Sequence, residues 1–423
     1  MMDFLLSYHQ KKIGVHLPDE VPVVILKPPE LIPIKDLALS LRNALTQEPF
    51  VNFLQKGDQV VVIVSDITRY SGAEVFLPIL LNQANKIGIP DKDITIVFSL
   101  GIHRPMNQEE QIKVVGREVA QRVKMENHNA KAPDLVYLGK TSRGTPVIIN
   151  RRVAEADKII LTGTIGYHYL AGFGGGRKSV VPGVAGFETC VANHLLVLNP
   201  DYPGKHPRAR AGILQGNPMH EDMVEAAGMI PPKFLLNTIL SPQYSILQLV
   251  VGDWENAFYQ GCKIVDQFFR VPIESQADLV IVSCGGYPKD INFIQAHKTF
   301  DHAFNALKPG GVMILIAACT EGLGNPDFLN WFQFKELEVM EEALRGSFQI
   351  NGQTAYSTLL KAKVGKIFLL SELPDEVVRT MGLTPVHSIS EALTQAYRIL
   401  GDKPNTYLIP YGGAVLPWWG NVA

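Results

Sequence analysis

The chain reads as an α/β protein of two doubly wound domains with mainly parallel sheets and an active-site cleft between them. Three observations lead there. Short uninterrupted apolar runs recur along the whole length, helical stretches separate them, and polar or glycine-rich segments follow the runs at their carboxyl ends. Continuous Val/Ile/Leu runs bounded by turn residues are the mark of strands buried on both faces. In the first half they cover 59–65 (QVVVIVS), 94–99 (ITIVFS) and 158–163 (KIILTG). In the second half they cover 279–284 (LVIVSC), 311–317 (GVMILIA), 366–370 (KIFLL) and 406–410 (TYLIP). Helices are expected between them, among others over 72–87, 108–123 and 299–307, and this alternation implies parallel sheets. Pro272 in VDQFFRVPIESQ marks a boundary near 268–276. The expected domains are therefore 1–270 and 271–423.

Composition narrows the class. At 423 residues the chain exceeds one ordinary domain, and 46% hydrophobic with 19% charged residues describes a well-packed globular protein. A formal net charge of -2 gives no electrostatic reason to expect nucleic acid or an anionic membrane as partner. The four cysteines form no CxxC pair, which argues against a zinc ribbon, an iron–sulfur cluster or a disulfide framework and fits a reducing cytoplasm. The opening MMDFLLSYHQKKIG has an early Asp3 and does not read as a signal peptide. No apolar run approaches the roughly 20 residues of a membrane span.

In open α/β sheets chemistry gathers beyond the carboxyl ends of the strands. There the sequence places SDITR, GIHRP, the block from Gly163 to His194, and GGYPKDINFIQAHK. The long block holds His168, a glycine cluster with Gly174 and Gly175, then Arg177, Lys178 and finally His194. Glycines admit a close backbone approach, and backbone amides beside fixed cations suit a phosphate. Lys178 also qualifies as a nucleophile if it lies in a tight apolar pocket. The block is not a P-loop, because Arg177 stands where glycine is required, and the dinucleotide fingerprint and HExxH are absent.

Asp66, Thr68 and Arg69 form a compact group that fits either an Asx-type helix cap or a site whose guanidinium forks onto a carboxylate or phosphate. His103 and Arg104 follow Gly101, and beside the other polar strand ends His103 is a candidate for proton transfer. Pro288, Lys289 and Asp290 are expected to start a helix whose face carries Gln295 and Lys298, three residues apart. The pair fits a solvated face or hydrogen-bond donors to a substrate carboxylate.

Taken together these segments resemble the nickel-dependent lactate racemase family. The resemblance rests on SDITR, GIHR, GYHYLAGFGGGRKSVVPGVAGFETCVANH and GGYPKDINFIQAHK, which span both expected domains. It implies racemisation or epimerisation of a small 2-hydroxy acid with a nickel pincer nucleotide, pyridinium-3,5-bisthiocarboxylic acid mononucleotide. By position Lys178 matches the lysine that tethers the cofactor and His194 matches the protein ligand to nickel. His103 and His168 match the catalytic pair. Arg69, Gln295 and Lys298 match substrate-holding residues, while Asp66, Thr68, Gly174, Gly175 and Arg177 are expected around the cofactor. Nickel tolerates a planar site of soft ligands with a single imidazole, so closely spaced protein ligands are not required. Proteins that make the cofactor are possible partners under this reading.

Two positions depart from the lactate enzymes. Tyr70 follows Arg69 where proline is expected, and Ile294 precedes Gln295 where an aromatic residue is expected. Both are candidates for the substrate's side-chain pocket, so the side chain stays open. The competing readings are an NAD-dependent 2-hydroxy acid dehydrogenase, whose glycine fingerprint is missing, and a non-catalytic carrier of the nickel cofactor, which needs no pair of histidines.

Overall fold

The computed structural model describes residues 1–231 and 233–419. They form two compact α/β units with mainly parallel sheets. One comprises Leu31–Pro200 and Lys205–Asp266; the other comprises Met1–Glu30, Asp201–Gly204 and the chain from Gln267 onward. Among the described residues no helix is long and apolar enough to cross a membrane.

The first unit is built on a six-stranded sheet in the order Ile246–Asp253, Lys233–Leu240, Lys158–Thr164, Val60–Ser65, Ile94–Ser99, Lys124–Asn127. Every pairing is parallel except the edge hairpin of Lys233–Leu240 with Ile246–Asp253. The central strands are apolar on both faces because both faces are covered, which is why they read as runs rather than alternations. Phe50, Phe76, Phe98 and Phe234 fill the layer between this sheet and helix Ala73–Ile87. The helix expected over 108–123 is two helices, Gln108–Val115 and Arg117–Arg122, broken at Gly116.

The second unit holds another six-stranded sheet, Thr384–Val386, Lys366–Leu370, Leu307–Ile316, Ala277–Ser283, Thr406–Ile409, Val23–Ile25, parallel throughout. Its last strand comes from the chain's beginning, so a contiguous 1–270 domain is not what forms. Val23–Ile25 completes the edge beside Thr406–Ile409. The hairpin Met2–Tyr8 with Lys11–Leu17 buries Leu6, Val15 and Leu17 against Leu279, Ile281, Phe368 and Leu408. The helix expected over 299–307 starts earlier, at Phe293, because the Asn292 side chain accepts from the Gln295 amide and caps it there. Pro288–Asp290 therefore belong to the turn before the helix and do not open it.

Leu6→Ala should cost about 2–5 kcal/mol, the usual range for a fully buried leucine. Amide hydrogen exchange followed by mass spectrometry should then quicken in Ala277–Ser283 and stay unchanged in Val60–Ser65. Unaltered exchange in both strands would show that the hairpin is not part of that core.

Candidate active site

Parallel register brings the carboxyl ends of Lys158–Thr164, Val60–Ser65 and Ile94–Ser99 to one edge of the first unit's sheet. The segments that follow carry Asp66–Arg69, Gly101–Arg104 and the glycine loop. Asp66 is buried, and its Oδ2 lies 2.6 Å from His103 Nδ1. Its Oδ1 accepts from the Thr68 amide at 2.8 Å and the Thr68 hydroxyl at 2.6 Å. Burial alone would raise this carboxyl. The hydrogen bond and charge of His103, with help from Thr68 and Arg69, hold it below its ordinary value instead. An ionised carboxylate only accepts, so His103 carries its proton on Nδ1 and presents Nε2 as a base. Asp66 and Thr68, expected beside the cofactor, are thus spent on His103 and on one another. Arg69 and the His103 side chain are exposed.

The glycine loop is organised from within. Arg177 has no exposed surface, and its guanidinium donates to Phe173 O at 2.8 Å, Gly175 O at 3.2 Å and Ala171 O at 2.7 Å. Nε donates to His220 Nδ1 at 3.0 Å, and the cation lies 4.3 Å from the Phe258 ring centre. This corrects the expectation that Arg177 contacts a nucleotide phosphate, since all its donor directions turn inward. Packing also accounts for two of the glycines. A Cβ on Gly175 would stand 2.6 Å from Asn237 Oδ1, and one on Gly176 would stand 2.6 Å from Phe258 Cδ2. Gly174 has only ordinary contacts at 3.7 Å and leaves room on its open side.

Lys178 follows in the short helical turn Gly176–Ser179. Burial first, then the Arg177 and Arg69 charges, push its amine down to about 7. His194 lies on helix Phe187–Leu195, which is pinned by Asn193 Nδ2 donating to Asp222 Oδ2 at 2.8 Å. Its Nδ1 is 2.7 Å from Cys190 O, one turn earlier. A carbonyl only accepts, so His194 has Nδ1–H and an unprotonated Nε2, the form that ligates metals. Burial, and then the charge of nearby Lys178, push the imidazole down to about 4, so it is neutral at pH 7. These donors fit the implied cofactor: a neutral amine able to form an amide-type tether beside one neutral imidazole for a metal. Among the described residues no group of three or more His, Cys, Asp or Glu gathers for a metal.

His168 stands in the small ribbon Tyr167–His168 with Gly172–Phe173. Its Nδ1 accepts from the amides of Leu170 at 3.3 Å and Ala171 at 3.1 Å. Gln295 and Lys298 are in the second unit, one turn apart on helix Phe293–Phe304, with Lys298 Nζ donating to Gln295 Oε1 at 2.5 Å. A cavity of about 630 Å³ in that unit, lined by Tyr8, Leu393 and Tyr397 among others, contains none of these residues. Sequence reasoning missed Asn217, His220 and Asn237, all buried supports of the loop. The Asn-Pro at 217–218 marks a helix start, and nothing in it signals the second task.

The match to known proteins covers both units. Residues 8–204 match the lactate racemase N-terminal domain and residues 273–416 the lactate racemase C-terminal domain. The lactate racemase of Lactiplantibacillus plantarum is 30% identical over 384 residues, 89% of each chain. That of Thermoanaerobacterium thermosaccharolyticum is 28% identical over 429 residues, 98% of this chain and 99% of the relative. The solved apoprotein from T. thermosaccharolyticum superposes with a TM-score of 0.88 at 29% identity, over 99% of this chain and 100% of that one. A Thermotoga maritima protein shares the fold, with a TM-score of 0.67 at 19% identity. With strand ends, loop and both units in agreement, the chain belongs to the lactate racemase family, a family of isomerases.

Proposed function

We propose that this chain is a racemase or epimerase of small 2-hydroxy acids that works with a nickel pincer nucleotide. The observation that carries the reading is a buried Lys178 amine whose charge bears on His194, together with a His194 ring held through Nδ1 at 2.7 Å from the Cys190 carbonyl, both groups inclined to neutrality. A neutral amine is what acylation by the cofactor requires, and a neutral imidazole is what nickel requires.

The substrate makes such a cofactor necessary. Its carboxylate is already anionic and stabilises a neighbouring carbanion poorly, so the Cα hydrogen is a bad proton. When bound, the nucleotide supplies a hydride acceptor for that hydrogen. This chain's residues do the rest. His103, with Nε2 bare and Asp66 behind it, takes the hydroxyl proton and becomes an imidazolium stabilised by that carboxylate. His168 is the second imidazole assigned to the hydroxyl. Arg69 offers its exposed guanidinium to the substrate carboxylate, and the resemblance assigns Gln295 and Lys298 to the same task. Tyr70, beside Arg69, donates to Glu74 at 2.9 Å and meets Tyr244 edge-to-face at 5.9 Å. That fixed ring makes Tyr70 a candidate wall for the substrate's side chain.

Cofactor-loaded protein should invert Cα in at least one member of a panel of single-enantiomer 2-hydroxy acids without added NAD. Turnover only with NAD would establish a dehydrogenase, and binding without inversion would establish a carrier. For the tether, acylation of Lys178 in the unloaded chain should rise through about pH 7, where the amine loses its proton. Ordinary lysines rise near 10.4; a Lys178 profile that follows them would refute the assignment. His194→Ala, loaded and desalted, should retain no nickel; metal content equal to wild type would remove His194 as ligand.

A further inference from the structure

The first unit's sheet has a further loop on the edge that carries Asp66, His103 and the glycine segment. Strand Lys233–Leu240 runs parallel to Lys158–Thr164, so its carboxyl end falls on that edge too. The turn that follows, 241–245, leads back into Ile246–Asp253 and carries Tyr244. Tyr244 lies in the left-handed region at φ +67°, a strained position for a bulky residue that persists only where its surroundings impose it. Here they do. Tyr244 N donates to Ser241 O at 3.0 Å, and Ser241 N donates to Ser245 O at 2.8 Å. Ser241 Oγ accepts from the amides of Gln243 at 3.2 Å and Ser245 at 3.1 Å. The segment after Arg69 is seated directly on this hairpin. Thr238 Oγ1 donates to Ser71 O at 2.9 Å, with both residues buried. A Cβ on Gly72 would stand 2.7 Å from Ile246 Cδ1, and φ there is +76°. These contacts bring Tyr70 edge-to-face against Tyr244, with ring centres 5.9 Å apart. The Tyr70 hydroxyl is turned to Glu74, yet the residue keeps 42% of its surface exposed. Burial raises the Tyr244 phenol and the Arg69 charge lowers it, so Tyr244 is the common neighbour of Arg69 and Tyr70.

We propose that Tyr70 and Tyr244 form the wall that receives the substrate's side chain, and that the preferred substrates are 2-hydroxy acids with an aromatic side chain. The inference rests on the racemase reading above and names its substrate class. Strand order gives the direction. From Ile94–Ser99 through Val60–Ser65 and Lys158–Thr164 to Lys233–Leu240, the strand ends lead to His103, Arg69, the glycine loop and Tyr244 in that order. A carboxylate on Arg69 therefore has His103 on one side and Tyr244 on the other. Two enantiomers that share carboxylate and side-chain positions differ only by exchange of hydrogen and hydroxyl at Cα. Both can therefore keep those two anchors, and one fixed wall serves either direction of the reaction. An aromatic side chain suits this wall, because an edge-to-face pair still offers a ring face to a third ring. The methyl group of lactate covers little of the two rings and gains correspondingly little from burial. An acidic side chain is disfavoured, since the Glu74 carboxylate already stands 2.9 Å from the Tyr70 hydroxyl.

The test compares side chains on one reaction. Cofactor-loaded protein receives single enantiomers of phenyllactate, lactate and malate, and kcat/KM for inversion is measured for each. Phenyllactate should exceed lactate by about tenfold, the size of an aromatic contact with the apolar area it buries, and malate should be poorest. Tyr70→Ala and Tyr244→Gly should each lower the phenyllactate-to-lactate ratio by about the same factor. Glycine suits the left-handed backbone at position 244, so that variant removes the ring and keeps the turn. Tyr70→Phe retains the ring and should retain the ratio. Lactate inverted as fast as phenyllactate, or alanine and glycine variants that slow both substrates equally, would overturn the proposal. Inversion of no 2-hydroxy acid would defeat the racemase reading instead. Saturation-transfer NMR on the same samples then decides the wall: the phenyl protons of phenyllactate should be saturated by the wild type and not by Tyr244→Gly. Saturation by both proteins, or by neither, would overturn it.

Discussion

The site depends on one buried cation. Arg177 is enclosed completely, and its hydrogen-bond partners are three main-chain carbonyls and an imidazole, all neutral. Removing a guanidinium from water costs several kcal/mol, offset here by four hydrogen bonds and an aromatic face. Burial lowers Arg177 only to about 10, so the charge persists at neutral pH. Two consequences follow from the same contacts. The carbonyls of Ala171, Phe173 and Gly175 are drawn inward, which wraps the loop around the guanidinium. The absence of a carboxylate among these partners leaves the positive field acting on Lys178, where it adds to burial in favouring the neutral amine.

Three histidines show how little the residue type alone determines. His103 and His194 both carry Nδ1–H and an unprotonated Nε2, one because of a carboxylate and the other because of a main-chain carbonyl. His168 receives two amides and has the reverse assignment. The ring nitrogen that each histidine presents is thus set by what lies behind the ring. His220 belongs to the scaffold: burial and Arg177 push it down to about 3, and its Nδ1 accepts from the guanidinium Nε.

Much of this was legible in the sequence, for identifiable reasons. Strands such as Val60–Ser65 and Lys366–Leu370 are buried on both faces, and an uninterrupted apolar run carries that information locally. The pairing of Val23–Ile25 with Thr406–Ile409 joins opposite ends of the chain, and no local pattern encodes it. The residues of the candidate site were found by their place at strand ends and by the family resemblance, but their directions were not. Arg177 beside Lys178 and a glycine run suggested a phosphate ligand, and only packing against Phe258 and His220 reveals that it turns inward. Asp66 suggested the cofactor for the same reason, and its partner His103 is 37 residues away. Asn217 was hidden because one side chain serves as helix cap and as support for the Leu170 carbonyl.

The central claim is that these groups handle a hydroxyl proton and a carboxylate while the Cα hydrogen moves with its electron pair. The most direct measurement follows a 2-hydroxy acid carrying deuterium at Cα through inversion by the loaded protein in ordinary water. Hydride transfer never releases that hydrogen to solvent, so the product enantiomer should keep the label at Cα. Inverted product that has exchanged its deuterium for solvent hydrogen would show proton abstraction at Cα and contradict the account.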